Sequence, residues 1–540
     1  MTRFRVDGLP GRLVAAWLLA LGLALATPPA LALDGATAAA MARGTTGERI
    51  AAMQAAAGRP DATLAAFLQA MLEGRVRLLD DRVVVVTPDG TARDAVDGTP
   101  IADVEGAVSV VNNNRMRREL GNAIAALELF SADDPVRLEA ARRIADKPDP
   151  ARLPLIERAL AEERVAGTRA LLTQARAAIL VDSPERELRL AAARELGASR
   201  EPAVMALLEA RLHGAMPESD EEVRKALASS LASVSRRVAL GEHAATVFAG
   251  VSLGSILLLA ALGLAITYGL MGVINLAHGE LVMIGAYATW LTQQFFRANL
   301  PERFDAYLLA AIPVSFLAAA AVGAVLERLV IRHLYGRALE TLLATWGISL
   351  ILMQAVRSLF GAQNVAVENP SWLSGGLAIL PNLVLPWNRI AIIGFALVVV
   401  ATVALLLART RLGLFVRAAT QNRTMARCVG VPTARVDTLA FALGAGVAGL
   451  AGCALSQVGN VGPDLGQGYI VDSFMVVVLG GVGQIAGAVY AGLGLGILNK
   501  LLEGMAGAVI AKIVLLVLII VFIQKRPQGI FALKGRSAEA

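Results

Sequence analysis

The stretch Asn275-Leu-Ala-His278-Gly279-Glu280 decides how this chain is read, because it sets polar side chains between apolar runs of roughly twenty residues each. An ionisable group in hydrocarbon costs about 2.5–3.5 kcal/mol on insertion scales, so it persists there only with a partner or a task. Asn275, His278 and Glu280 are therefore read first as satisfying backbone groups freed where the helix is interrupted, a common use of buried polar groups. The alternative is that, with Gly279 at the break, they line or gate a path through the membrane.

The rest of the chain agrees with a lipid setting. Of its 540 residues 56% are hydrophobic and 17% charged, and the mean hydropathy is +0.60, too apolar for an ordinary soluble protein. A span takes about 20 apolar residues. Runs of that kind occur at 246–268, 279–296, 306–328, 341–360, 389–409, 436–456, 469–503 and 506–524. The run 469–503 exceeds one helix across about 30 Å of hydrocarbon, so it is read as two segments broken at Gly480, Gly481 and Gly483. The expected fold is an all-α polytopic membrane protein with about eight or nine segments, two of them broken, at 270–280 and 480–484. Paired interruptions are a pointer to a translocation path. Gln354 and Arg357 in the fourth run are weaker candidates to line it, and packing alone is the alternative reading of each glycine.

Residues 1–32 read as a secretory signal, with Arg3, Arg5 and Arg12 before the apolar run Leu13 to Ala26 and cleavage expected after Ala32. Residues 33–242 follow as an exported, mainly helical domain with a short β element near 82–90, where Arg82-Val-Val-Val-Val86 runs into Pro-Asp-Gly90. A motif recurs in it at Val136–Ile144, Leu188–Leu196 and Val223–Leu231, and loosely resembles HEAT-like repeats. It is either a docking surface or an Ala-rich spacer. Residues 243–524 form the transmembrane domain and 525–540 a cytoplasmic tail.

Charge sets the orientation. With residue 242 outside, the inward loops carry Arg328, Arg332 and Arg337, then Arg409, Arg411, Arg417, Arg423, Arg427 and Arg435, whereas the outward loops 362–388 and 457–468 carry no Lys or Arg. The net charge of +6 is thus placed by the membrane, which argues against a nucleic-acid partner. The two cysteines, Cys428 and Cys453, both lie beyond the exported domain, so no disulfide framework holds it. The four histidines are far apart and no Cys-x-x-Cys occurs, so neither a metal site nor another cofactor is expected. No catalytic constellation is visible. Gly-Lys occurs nowhere, so the chain lacks the P-loop phosphate cradle and is not itself an ATPase.

Three ordered motifs, Asn275 to Glu280, Val478-Leu-Gly-Gly-Val-Gly-Gln-Ile-Ala-Gly-Ala488 and Arg526-Pro-Gln-Gly-Ile-Phe531, resemble the membrane subunits of branched-chain amino-acid-type ABC importers over residues 245–536. The long domain before them is similar to that of the B-type permease subunit of urea importers. The resemblance implies a bacterial inner-membrane permease subunit with its N-terminal domain periplasmic. It also implies a second homologous permease subunit, two cytoplasmic ABC ATPase subunits and a periplasmic substrate-binding protein. The solute would be urea first and a branched-chain amino acid second.

The long inward loop Arg411 to Pro432 resembles the short helix by which such permeases contact an ATPase, with Gly413, Arg417, Ala418, Gln421, Asn422, Ala426 and Gly430 as its candidate residues; a merely basic loop is the alternative. Two other classes remain open: a passive channel for a small neutral solute, and a membrane-anchored sensor acting through its helical repeats.

Overall fold

The computed structural model describes residues 33–57, 62–80, 82–87, 91–101, 106–272, 275–380 and 382–531. The expected signal segment and its cleavage site lie outside them, as do Pro88-Asp-Gly90 and most of the tail. The chain divides into two compact units, one ending at Arg236 and the other beginning at Arg237. That border lies six residues before the one expected from composition, inside a single helix.

The first unit starts with helices α1 (Gly35–Ala42), α2 (Thr46–Ala57) and α3 (Ala62–Leu72) and a five-stranded antiparallel sheet. Its strands are β1 (Val76–Leu79), β2 (Arg82–Val86), β3 (Ala92–Asp94), β4 (Pro100–Ile101) and β5 (Val108–Ser109), in the order β4-β3-β2-β1-β5. The Val-rich β2 pairs with β1 from Val85 opposite Val76 to Arg82 opposite Leu79, as β-branched residues favour. The sheet is larger than the one short element the sequence suggested, because its other strands are too short to show a period.

Helices α4 (Asn114–Glu128), α5 (Asp134–Asp146), α6 (Leu153–Glu162), α7 (Ala166–Leu180), α8 (Arg186–Leu196) and α9 (Pro202–His213) follow. The recurring motif has a structural counterpart in two of its three copies. Arg137 on α5 donates to Glu163 at 3.0 Å and to the carbonyls of Ser131 and Ala132. Arg189 on α8 donates to Glu218 at 2.9 Å and to the carbonyls of Ser183 and Pro184. Each arginine thus holds a turn lying before its own helix and a glutamate beyond the next one. The third copy departs from this, since Arg224 pairs with Glu221 on its own helix. The hydrogen bond from Arg137 holds the Glu163 carboxyl below its ordinary 4.5, against the opposing effect of burial.

Among the described residues the regular structure of the second unit is helical apart from a hairpin and one isolated bridge between Val365 and Val461. Its helices are α10 (Glu221–Met271, which begins in the first unit), α11 (His278–Asn299), α12 (Tyr307–Leu329), α13 (Ala338–Phe360), α14 (Trp387–Arg409), α15 (Arg411–Gln421), α16 (Arg423–Cys428), α17 (Thr433–Ser456), α18 (Leu465–Gly480), α19 (Ile485–Ala506) and α20 (Ala508–Lys525). The hairpin pairs β6 (Gly376–Leu380) with β7 (Leu383–Pro386) in a segment read from sequence as a loop.

Among the described residues seven helices are long and apolar enough to cross a membrane, which makes this an all-α polytopic membrane architecture. α17 is its centre: it is buried along almost its whole length, and Gly444, Gly449 and Gly452 let the backbones of α10, α11 and α12 approach it. Outer helices such as α14 and α20 bury only a narrow stripe and turn Leu397, Val398, Val517 and Leu518 outward.

Candidate functional site

α11 does not start at an end of the bundle. Its first residue, His278, is fully buried and its Nε2 lies 2.9 Å from the carbonyl oxygen of Ala260, which as an acceptor places the ring proton on Nε2. Ala260 lies about 16 Å before the end of α10 at Met271, at 1.5 Å per residue. Gly263, against the same His278 ring, meets the backbone of Gly444, half-way along α17. The chain therefore leaves α10, turns at Gly272 (φ +66°) and returns to mid-depth before helix resumes.

A second helix starts at the same place. The first turn of α18 packs on the first turn of α11 so closely that a Cβ on Gly279 would lie 2.4 Å from the carbonyl oxygen of Gly466. Irregular backbone at this depth is tolerated where protein covers it or it lines a watery cavity, and each helix start leaves unpaired N–H groups and a positive dipole end.

Polar side chains hold the returning segment. Asn275 accepts from the N–H of Ala277 at 3.0 Å, Thr345 of α13 accepts from the N–H of Leu276 at 3.2 Å, and Ser349 of α13 donates to Oε1 of Glu280 at 2.9 Å. Asn275 and Glu280 are 2% and 1% exposed. Asn275 Nδ2, His278 Nδ1 and Glu280 Oε2 are buried without a hydrogen-bond partner among the described residues, as is the hydroxyl of Tyr287, further along α11. The site is thus half satisfied: one atom of each group anchors the backbone or α13, and one is left over.

The structure brings Asn275, His278, Gly279 and Glu280 together with Thr345 and Ser349. Sequence reading missed those two hydroxyls; their signal is the four-residue spacing Thr341, Thr345, Ser349, which puts them on one buried stripe of α13. Gln354 falls on an exposed face of that helix. Arg357 pairs with Asp464, the residue before α18, at 2.8 Å.

Gly480, Gly481 and Gly483 do not join this group. They form the reversal between α18 and α19, where Gly481 has φ +98° and Gly483 φ +75° and approaches Gly269 near the end of α10. The tail segment closes over this turn. The N–H of Ile530 donates to the carbonyl of Leu479 at 2.8 Å, and Phe531 stacks on Tyr490 at 5.7 Å. The second interruption at mid-depth is instead the start of α18, hidden in a stretch read as an outward loop because Gly462-Pro-Asp-Leu-Gly-Gln-Gly468 has no apolar run to announce a membrane position.

The Arg-rich loop folds as two helices. Thr410 caps α15, and Asn422, after Gln421, caps α16 by accepting from the N–H of Met425 at 2.9 Å. Gly413 sits where a Cβ would meet the carbonyl of Leu407, and Arg417 donates to that same carbonyl. Ala418 accepts from the N–H of Asn422, Ala426 is buried, and Gly430 has φ +89° in open space. Leu414, Met425 and Val429 are exposed.

These features define an integral membrane protein with helices starting at mid-depth and a separate two-helix segment beside them. Residues 246–523 match the family described as branched-chain amino acid transport system / permease component, and the chain belongs to that family. It is 30% identical to the high-affinity branched-chain amino acid transport system permease protein BraD of Pseudomonas aeruginosa, over 52% of this chain and 93% of that relative. It is 31% identical to the LivH permease protein of Escherichia coli K12, with the same coverage. With the probable LivH of Methanocaldococcus jannaschii the identity is 26%, over 51% of this chain and 88% of that protein. No solved structure matches.

Proposed function

We propose that the chain is the membrane-spanning subunit of an ATP-driven importer that carries a small nitrogenous solute inward by alternating access. The observation that carries this is the junction of α11 and α18 at mid-depth, inside a segment that matches a permease family along nearly its whole length. Asn275, His278 and Glu280 form the neck of the path, with donors and acceptors left for a polar solute. The α15–α16 segment, with Leu414, Met425 and Val429 outward, is the contact for a cytoplasmic ATPase, since the chain has no P-loop of its own. A second permease subunit, two ATPases and a soluble substrate-binding protein complete the assembly.

In this reading the Arg-rich loops and the C-terminus face the cytoplasm, and the first unit faces the periplasm of a bacterial inner membrane after removal of a signal segment. Its Arg–Glu clamped helices are a HEAT-like platform for an outer-face partner.

The names of the relatives favour a branched-chain amino acid as solute; urea is the rival, supported by the long unit that precedes the matched segment. Uptake of radiolabelled leucine and of radiolabelled urea by cells with and without this chain separates the two. Vesicles containing the purified chain alone test the whole reading: ATP-independent flux at full rate would make it a passive channel instead.

A further inference from the structure

We infer that Arg423 and Tyr335 form the joint through which motion of the α15–α16 segment reaches α13, which pivots on its Phe360 end and opens the seam between Ser349 and Glu280. The inference rests on the reading of that segment as the ATPase contact.

α13 is attached unevenly. Near Phe360 it is locked by interdigitated apolar groups: Val356 is buried, and the Phe360 ring stacks on Tyr287 at 5.0 Å and meets Trp290 edge-on at 5.8 Å. Its other half buries Thr341, Thr345 and Ser349. Two of these reach α11 and the turn before it through single hydrogen bonds, to Leu276 and Glu280, and Thr341 bonds back to the carbonyls of Leu334 and Arg337. Leu339, Leu343 and Trp346 there are exposed. Single hydrogen bonds are exchanged more easily than packed rings are separated. The helix is also bounded by glycines with positive φ, Gly336 at +83° and Gly361 at +93°, each in open space. Such residues absorb the backbone rotation of a hinge.

The hinge at Gly336 touches the two-helix segment. Tyr335, the preceding residue, has its ring 4.5 Å beneath the guanidinium of Arg423, the first residue of α16. Arg423 also pairs with Asp437 of α17, whose side chain is buried. The Tyr335 hydroxyl reaches Glu327 of α12 at 3.4 Å, and Glu327 is held by Arg332 at 3.1 Å and Thr438 at 2.6 Å. Arg423 thus grips the fixed centre and the movable hinge at once, and displacement of α16 acts on α13 through the Tyr335 ring.

The test uses the chain co-purified with its ATPase in nanodiscs, with Cys428 and Cys453 replaced. A spin label at Leu317 of α12 is paired in turn with labels at Val429, Leu343 and Leu359. Mg-ATP with orthovanadate is expected to shift the 317–429 and 317–343 distances and leave 317–359 in place. In Arg423→Gln and Tyr335→Leu the 317–429 shift persists and the 317–343 shift is lost; Tyr335→Phe, which keeps the ring, restores it. A 317–343 shift that survives both disruptive variants overturns the joint, as does a wild-type complex in which only 317–429 responds. If no pair responds in a complex that hydrolyses ATP, the coupling reading itself falls.

Discussion

Ser349 donates its hydroxyl to Oε1 of Glu280 at 2.9 Å, so the first turn of α11 is held to the middle of α13 by one bond between two buried side chains. Oε2 of the same carboxyl has no hydrogen-bond partner among the described residues. Removing the Ser349 hydroxyl would leave both oxygens unsatisfied in a dry setting, at a cost of about 1–3 kcal/mol. Ser349→Ala is expected to lower the melting temperature of the purified protein by several degrees, and Ser349→Thr to restore it. An unchanged melting temperature in Ser349→Ala would show that the bond contributes nothing to stability.

His278 separates gating from scaffolding. Its Nε2 donates to the Ala260 carbonyl, which as an interior residue of α10 also accepts a helical N–H, so His278→Leu removes one buried hydrogen bond, at about 0.5–1.5 kcal/mol. The expected outcome is a reduced amount of protein in the membrane, measured by immunoblot beside uptake. Normal amounts with lost uptake would show that the bond to Ala260 is dispensable for folding and that the side chain acts only in the neck of the path.

Gly279 and Gly466 make the junction of α11 and α18 possible by bringing backbone to backbone. Gly279→Ala puts a methyl group 2.4 Å from the Gly466 carbonyl oxygen, an overlap that only separation of the helices relieves, at about 1–3 kcal/mol. Gly468→Ala, with open space around it, is the control. Thermal unfolding is expected to shift downward for the first and stay near wild type for the second.

The spans were legible because a run of apolar residues long enough to cross a membrane has few other uses, and His278 with Glu280 stood out as charge where charge is costly. The partner face was not. Thr345 and Ser349 are ordinary residues in a helix until their four-residue spacing is set against α11, and the start of α18 is written in glycines and one proline that also spell a surface loop. Gly480 to Gly483 are read as a mid-membrane break because a turn between two helices and a kink within one use the same residues; the positive φ of Gly481 and Gly483 and the contact with Phe531 tell them apart.

That contact makes its own prediction. Phe531 stacks on Tyr490 while Ile530 and Phe531 donate backbone hydrogen bonds to Leu479 and Gly480, closing the tail over the turn. Phe531→Ala removes the ring that fixes this closure, worth about 0.5–1.5 kcal/mol beyond its buried area. Trypsin cleavage after Lys525 is expected to speed several-fold, read by mass spectrometry, since the Arg526–Pro527 bond resists the protease. An unchanged cleavage rate would mean that the backbone bonds alone hold the tail.

The Arg137–Glu163 clamp carries a pH signature. Glu163 is held below its ordinary 4.5 in the folded chain by the hydrogen bond from Arg137, so its carboxylate stabilises the fold above that value, and the contribution is lost as pH falls through the lowered folded value. Glu163→Gln removes the charge at every pH, and at neutral pH costs about 1–3 kcal/mol as Arg137 loses its ionised partner. Hydrogen exchange of the peptides spanning 134–165 is expected to be faster in the variant than in wild type at pH 7, and the gap to narrow as the pH falls from 4.5 through the lowered value at which the folded wild-type carboxyl protonates as well. Comparing both proteins at the same pH cancels the intrinsic pH dependence of exchange. A gap that stays constant down to pH 3 would mean that the clamp acts through shape and neutral hydrogen bonds, with no part played by its charge.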